Sequence, residues 1–312
     1  MAFYLVSGGA GFIGSNLSEE LLKRGHKVRI IDNFSTGKEE NIRDFLNDIH
    51  LVKGDIRNLD TVRGAVKGID FCLHQAALPS VPRSVSDPIS SNETNINGTL
   101  NVLVSARDEG VKRVVLAASS SAYGNTDVLP KVETMTPDPL SPYAVTKYTG
   151  ELYAKIFYFL YGLETICLRY FNIFGPKQDP ASQYSAVIPK FVTAMLKNHS
   201  PVIHGDGEQS RDFTYIDNAI EANILASTSL MAGHGEVVNI ACGEKITLNH
   251  LVQKLNKLLG KNIKPVYTEP RKGDVKHSFA DIRLAKELLG FDVKVGFEDG
   301  LKKLLSHLSI QQ

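Results

Sequence analysis

Phe3-Tyr4-Leu5-Val6-Ser7-Gly8-Gly9-Ala10-Gly11-Phe12-Ile13-Gly14 is the stretch that decides how this chain begins to fold. Its first four residues are apolar without polar alternation, as suits a parallel strand buried on both faces. Gly8, Gly11 and Gly14 then recur at intervals of three. A helical stripe over residues 13–24 follows, carrying Leu17, Leu21 and Leu22 and stopping at Gly25. A tight strand-to-helix turn needs one residue without Cβ. A second lets a pyrophosphate approach the backbone N–H groups, and a third lets helix and strand pack closely. The second strand ends in Asp32, about 20 residues further on, where a carboxylate suits a ribose 2′-hydroxyl and repels a 2′-phosphate. The turn is therefore expected to hold NAD rather than NADP, although its spacing is not the G-x-G-x-x-G of dehydrogenases proper. Asp55-Ile56, after the third strand, is either an adenine contact or an ordinary turn.

Working outward, short apolar runs alternate with segments of helical period through the first two thirds of the chain. Strands are expected at Phe3–Ser7, Lys27–Asp32, 50–54, 71–76, Arg113–Ser119 and Glu164–Tyr170, and helices at 13–24, 92–109 and 142–160. This alternation predicts an α/β fold, a Rossmann-type doubly wound parallel sheet. After Phe171 the loops lengthen and fill with Gly, Pro and Asp, as at 174–184 and 204–212. Later helices are expected near 217–230, Leu248–Leu259 and 297–308, with strands at 237–241 and 264–267. The chain reads as an NAD-binding domain over 1–171 and a smaller, irregular α/β C-terminal substrate lobe over 172–312, with 212–241 returning to the first. A cleft between them, at the carboxyl ends of the strands, is the expected site.

Composition narrows the partners. The 312 residues are 43% apolar, and 35 Lys and Arg against 34 Asp and Glu leave a formal charge of +1. Neither nucleic acid nor an anionic membrane is expected as a partner. No apolar run approaches the ~18 residues of a membrane span. The opening residues lack the basic region of a signal peptide, the first lysine being Lys23. Cys72, Cys167 and Cys242 are few, odd in number and far apart, which suits buried thiols in a reducing compartment. A cytoplasmic enzyme or binding protein is expected. Nine histidines show no paired ligand spacing, so no metal site is expected.

Tyr143-Ala144-Val145-Thr146-Lys147 sets a phenol and an ammonium on one face near the start of a helix. A nearby ammonium favours the phenolate, lowering a pKa that starts near ~10, and an oxidised nicotinamide lowers it further. Such a Tyr takes the proton of a carbinol whose carbon gives up a hydride. The spacing alone also occurs on solvated helix faces. It gains weight from Ser119-Ser120-Ser121, which ends the fifth strand on the same rim of the sheet. Those hydroxyls either bond the reacting oxygen or make a polar turn.

In this order the residues resemble the extended short-chain dehydrogenase/reductase family, and the resemblance runs the whole length of the chain. It is carried by the glycine turn, Asp32-Asn33, His74-Gln75-Ala76-Ala77, Ser119 with Tyr123-Gly124, and Tyr143 with Lys147. Arg169-Tyr170-Phe171-Asn172-Ile173-Phe174-Gly175, Arg211-Asp212-Phe213-Thr214-Tyr215-Ile216-Asp217 and Arg271-Lys272-Gly273-Asp274 complete it. It implies that Phe12, Ile13, Asn33, Gln75, Ala76, Ala77, Asn95 and Tyr170 join the glycines around NAD, with Lys147 on the nicotinamide ribose. It also implies a UDP-sugar substrate, held by Arg211 and Arg271, with Asn172 and Asp274 on phosphate or ribose and Arg83 facing the site from its loop. Many relatives place a Lys near the nicotinamide where this chain has Pro79.

Several reactions in this family start from oxidation at C4 of the sugar. Its dehydratases follow the catalytic hydroxyl with an Asp-Glu pair and its glucuronate decarboxylases with a Glu, where this chain has Ser120 and Ser121. With no acid to divert the ketone, the resemblance implies a 4-epimerase. Leu78-Pro79-Ser80-Val81-Pro82-Arg83-Ser84, Gln178-Asp179-Pro180, Ser185-Ala186-Val187-Ile188-Pro189-Lys190 and Gly273-Asp274-Val275-Lys276-His277-Ser278 are similar to the bacterial branch acting on UDP-N-acetylglucosamine. Glucose-restricted relatives carry a bulky Tyr at the place of Ser278, and a serine leaves room for an acetamido group. Room does not exclude UDP-glucose, so a UDP-glucose 4-epimerase or a dual enzyme is the alternative. A non-catalytic NAD-binding regulator is the remote one, since such proteins commonly lose the Tyr or Lys. Apolar residues beyond one stripe of the two long helices (Val102, Leu103, Tyr153, Phe157, Leu160, Tyr161) suggest a homodimer like those of the family.

Overall fold

The computed structural model describes residues 1–179, 186–270 and 275–310. Its first part runs β1 (Phe3–Ser7), α1 (Phe12–Lys23), β2 (Lys27–Asp32), β3 (His50–Lys53), α2 (Leu59–Val66) and β4 (Phe71–His74). Then come α3 (Val81–Ser86), α4 (Pro88–Asn92), a π-helical turn (Glu93–Asn97), α5 (Gly98–Asp108), β5 (Arg113–Ser119), α6 (Pro142–Tyr161) and β6 (Glu164–Tyr170). The remainder comprises β7 (Ile173–Phe174), α7 (Val187–Leu196), β8 (Val202–His204), β9 (Ser210–Arg211), β10 (Thr214–Tyr215) and α8 (Ile216–Thr228). It closes with β11 (His234–Ile240), β12 (Ile246–Thr247), α9 (Leu248–Leu259), β13 (Val266–Thr268), β14 (His277–Ser278), α10 (Arg283–Leu289) and α11 (Phe297–Ile310).

Seven strands form one parallel sheet in the order β11-β6-β5-β4-β1-β2-β3. The order reverses direction at β1, which places the carboxyl ends of β1 and β4 at a topological switch point, the usual crevice for a ligand in such sheets. Successive strand residues pack to opposite faces. Tyr4 and Val6 join Leu17, Leu21, Ala219 and Ala222 in the core beneath α1 and α8. Leu5, Cys72 and Cys167 join Val62, Ala65, Val102, Leu103, Ala106 and Phe157 in the core beneath α2, α5 and α6. Both faces are covered, which is why the strands carry no polar alternation. The later part adds small sheets, β12-β9-β14, β10-β7 and β13-β8.

Some expected elements differ. The strand expected over 71–76 stops at His74, because residues 75–80 leave the sheet to line the cavity beside it. The single helix expected over 92–109 is broken: Pro88 starts α4, and the π turn inserts an i→i−5 bond from Gly98 N to Glu93 O. Pi turns of this kind are rare and gather at functional sites. Arg83 sits on α3 rather than on a loop. Of the apolar residues expected on a second helix face, Val102, Leu103 and Phe157 are buried within the chain, while Leu160 and Tyr161 are exposed. Val145, Leu152, Ile156 and Phe159 are the further exposed large apolar residues of α6.

Helix α6 carries the central tyrosine and lysine and is tied down along its length. Ser141 caps it by accepting from Ala144 N, Pro142 occupies its first turn, and left-handed Gly162 ends it. Farther along, Glu151 accepts from Arg169 Nε and Nη2 on β6 at 2.8 and 2.7 Å, both side chains 3% exposed. The guanidinium also lies 4.5 Å from the Tyr123 ring. Removing one partner of a buried pair strands the other. Glu151→Gln is accordingly expected to cost about 3–5 kcal/mol of stability, seen as a lower urea midpoint at unchanged slope.

Candidate active site

At the switch point β1 runs into the glycine turn. Gly8 has φ +69°, and a Cβ on it would lie 2.8 Å from the Ala76 backbone. A Cβ on Gly14 would lie 2.2 Å from the Gly8 carbonyl oxygen. The turn therefore brings β1, α1 and the segment after β4 closer than side chains permit. Helix α1 starts at Gly11 with no side-chain cap, so its first N–H groups face the cavity with nothing from a side chain competing for them.

That cavity holds about 760 Å³. Of the residues singled out in the sequence, Gly8, Gly11, Phe12, Ile13, Gly14, Asp32, Asn33, Ile56, Gln75, Ala76, Ala77, Tyr143, Lys147 and Tyr170 line it. Asp32 Oδ2 accepts from Ala10 N at 2.9 Å and Oδ1 from Phe34 N at 2.8 Å. Burial raises its carboxyl from the ordinary value, and the two N–H groups oppose this. A free lone pair remains on each oxygen for a ribose hydroxyl. Asp55, by contrast, is not among the lining residues. Its carboxylate is taken by Arg57 and Asn33, and the Arg57 guanidinium holds it down at about 2. Asn95 is buried behind the wall, where it accepts from Leu78 N at 2.7 Å and donates to Thr146 Oγ1 at 3.1 Å. It braces the wall from behind. The apolar walls, glycine cradle, uncapped helix start and acidic ribose partner fit a nicotinamide dinucleotide.

Sequence reasoning missed part of this wall. Ser35, Thr36, Gly37 and Lys38 line it from the loop after β2, and Lys177, Gln178 and Asp179 from the loop after β7. Lys38 and Asp179 pair at 2.9 Å and so join the two loops. No local spacing marks that pair. It exists only because two distant loops meet over α1. Asn223 on α8 donates to the Tyr170 hydroxyl at 2.7 Å and accepts from Gln75 at 2.9 Å, which holds both residues at the cavity floor.

Tyr143 and Lys147 face the same cavity from the first two turns of α6. The Tyr143 hydroxyl hydrogen-bonds Ser119. Desolvation by the surrounding protein nevertheless raises the phenol above its ordinary value, the Ser119 bond opposing it. Lys147 Nζ donates to Ala117 O at 2.8 Å, and desolvation lowers its ammonium to about 8. The sequence reading expected the ammonium and an oxidised nicotinamide together to acidify the phenol; among the protein's own groups desolvation outweighs the lowering influences. Ser121 donates to Ser119 Oγ at 2.9 Å through its hydroxyl and at 3.2 Å through its N–H. With both acceptor positions of Ser119 used, its one proton is left for the Tyr143 oxygen. Ser119, Ser120 and Ser121 are not among the residues that line the cavity, Ala117 and Ala118 of the same strand being the ones that do.

A second cavity of about 570 Å³ adjoins the first at Ala186 and is lined by Asn172, Val187, Lys190, His204, Gln209 and Arg211 among others. Buried Asp212 shapes it by accepting from Cys242 N, Gly243 N and Ala280 N at 2.9, 3.0 and 3.3 Å, which fixes β9 against the chain beside β14. Arg83 lines the first cavity. Ser278 pairs in register with Arg211 and lines neither cavity. Arg271 and Asp274 lie outside the described residues.

Comparison with known proteins agrees with this geometry. A sequence model described as "NAD dependent epimerase/dehydratase family" matches residues 4–241. Among solved structures, the UDP-N-acetylglucosamine 4-epimerase of Methanobrevibacter ruminantium, in complex with UDP-N-acetylmuramic acid, superposes with a TM-score of 0.95. It is 40% identical, covering 100% of this chain and 99% of that one. The UDP-glucose 4-epimerase of Thermotoga maritima, with UDP-glucose, gives 0.94 at 38% identity, covering 99% of each. A putative UDP-glucose 4-epimerase of Methanocaldococcus jannaschii is 37% identical over 97% of both chains. The chain belongs to the NAD dependent epimerase/dehydratase family. It is an NAD-dependent nucleotide-sugar epimerase.

Two expectations follow from the site. The unfolded chain holds the Lys147 proton up to ~10.4, the folded chain only to about 8. The group's contribution to stability therefore rises with pH between those values and is least below about 8. Lys147→Met should be inactive yet more stable than wild type at pH 7 by roughly 2 kcal/mol, a full conversion being discounted for cavity water. The gap in urea midpoint should close above about pH 10. Gly14→Ala should fold but bind NAD about tenfold or more weakly by calorimetry, because its Cβ needs the Gly8 peptide to move.

Proposed function

We propose that this enzyme is a 4-epimerase interconverting UDP-N-acetylglucosamine and UDP-N-acetylgalactosamine through a transient 4-keto sugar. One observation carries the reaction type: Tyr143 is bonded to Ser119 at a rim where Ser120 and Ser121 stand in place of carboxyl groups. Bound NAD supplies reversible acceptance of a hydride at C4. Tyr143 holds and later returns the O4 proton, and Ser119 donates toward the reacting oxygen. Lys147 adds the fixed positive charge that favours the phenolate and reaches the nicotinamide ribose. Without a nearby acid to drive elimination or decarboxylation, the ketone is reduced again after the sugar turns.

The uridine diphosphate stays in the second cavity while the hexose rotates in the first. Arg211 suits the pyrophosphate, whose oxygens match its guanidinium fork, and Arg271, Asn172 and Asp274 complete that set by family resemblance. Ala186 and Val187 lie where the two cavities meet. The acetylated substrate is favoured by Ser278, which spares the volume a tyrosine would take, and by the likeness to the Methanobrevibacter enzyme. UDP-glucose is the second reading, supported by the names of the other relatives. The exposed Leu152, Ile156, Phe159 and Leu160 on α6 favour a homodimer through that helix. No helix among the described residues is long and apolar enough to cross a membrane, and a cytoplasmic setting suits three free cysteines.

The test is a side-by-side assay of both UDP-sugars. UDP-N-acetylglucosamine is expected to have the higher kcat/KM, and Ser278→Tyr should reduce that value about tenfold or more while leaving UDP-glucose turnover within a few-fold. Preference for UDP-glucose in the wild type would overturn the acetylated reading, and equal losses in the variant would remove Ser278 from it.

A further inference from the structure

His74 ends β4, is 4% exposed, and has no role in the scheme above. Its ring is nevertheless bonded at both nitrogens, Nδ1 to Ser7 Oγ at 2.6 Å and Nε2 to Thr99 Oγ1 at 2.9 Å. The directions of these bonds follow from their neighbours. Thr99 Oγ1 lies 2.6 Å from the carbonyl oxygen of Asn95, which only accepts, so Thr99 directs its single proton there. Toward His74 it is therefore an acceptor, and Nε2 carries the ring proton. Ser7 Oγ already accepts from Ala76 N at 3.3 Å. With Nε2 carrying the ring proton, a neutral ring leaves Nδ1 bare to accept from the Ser7 hydroxyl. A doubly protonated ring would take the second acceptor position of Ser7 and leave that hydroxyl's proton without this partner.

The chain of bonds continues past Thr99. Asn95, in the π turn, accepts from Leu78 N at 2.7 Å and donates to Thr146 Oγ1, which donates to Tyr143 O at 2.8 Å. One path of buried hydrogen bonds thus runs from the end of β1 to the backbone of the residue that handles the proton. It crosses β4, the π turn and α6, and it touches the cavity wall at Ala76 and Leu78. We propose that His74 is a positioning residue, a neutral imidazole in its Nε2–H form that locks the glycine turn and the Tyr143 helix into one frame. A misplacement of about 1 Å between those two parts is enough to slow a transfer strongly, and the ring is the rigid spacer that prevents it. Ser7 faces it from β1 and Thr99 from α5. Burial, with the field of Lys147 on α6 added to it, lowers the pKa of the ring to about 3.

Ring nitrogen spectra of the ¹⁵N-labelled enzyme test the first half, His74 being identified by its nuclear Overhauser contact with the Thr99 methyl group. The expected result is a protonated Nε2 and bare Nδ1, unchanged from about pH 5 to 8. An Nδ1–H tautomer, or an imidazolium appearing in that range, would falsify the proposal. The second half rests on the epimerase reading and is tested with whichever UDP-sugar the wild type turns over. Thr99→Val, which removes the hydroxyl at constant shape, is expected to lower kcat about tenfold with KM within twofold and to blur the tautomer. Thr99→Ser is expected to restore both. Wild-type kcat in the valine variant, or a serine variant as slow as valine, sinks the positioning role. The spectra need no sugar, so a wrong substrate assignment leaves the tautomer test unaffected.

Discussion

An ammonium and a phenol, four residues apart on one helix, are sunk into the wall of a cavity where water no longer stabilises their charged forms. Lys147 and Tyr143 find their partners at the end of a single strand, the Ala117 carbonyl and the Ser119 hydroxyl of β5. The rest of the site follows from keeping α6 against that strand end. The buried Glu151–Arg169 pair ties the middle of the helix to β6, and Ser141, Pro142 and Gly162 fix where it begins and ends. The site gives up stability here, since desolvation opposes both ionised forms that the chemistry needs.

The second constraint is one of distance. Gly8 and Gly14 allow backbone to touch backbone where β1, α1 and the segment after β4 converge. That convergence makes a smooth cradle at the switch point of the sheet. The later part of the chain contributes no comparable regular layer. It wraps the mouth with short strands, and Asp212 gathers three N–H groups from two segments to hold Arg211 in place. A cofactor bed built from regular strands and a substrate bed built from loops suit a family in which one oxidation is retained while the sugar varies.

Much of this was legible in one dimension. Four of the six early strands, β1, β2, β5 and β6, have the bounds read from their apolar runs, because a strand covered on both faces is largely apolar along its length. The glycine triplet and the Tyr-Lys spacing were visible for a similar reason, each being a local pattern with a local cause. The π turn was not legible. It holds Asn95, whose amide bonds Leu78 and Thr146, and both lie many residues away. The partners of the Asp55 carboxylate, Arg57 and Asn33, were not legible either, since Asn33 comes from another strand end.

The order of amino acids, by itself, determined an α/β chain with a dinucleotide turn, a Tyr-Lys couple and a rim of hydroxyls without carboxyls. Those features rest on periodicity and on spacings of a few residues, where the backbone alone sets the geometry. Only the tertiary structure decided the protonation of the couple, the loops that meet over α1 and the partners of each buried polar group. Desolvation and hydrogen-bond competition depend on what distant segments bring to within about 3 Å, and no count along the chain records that distance.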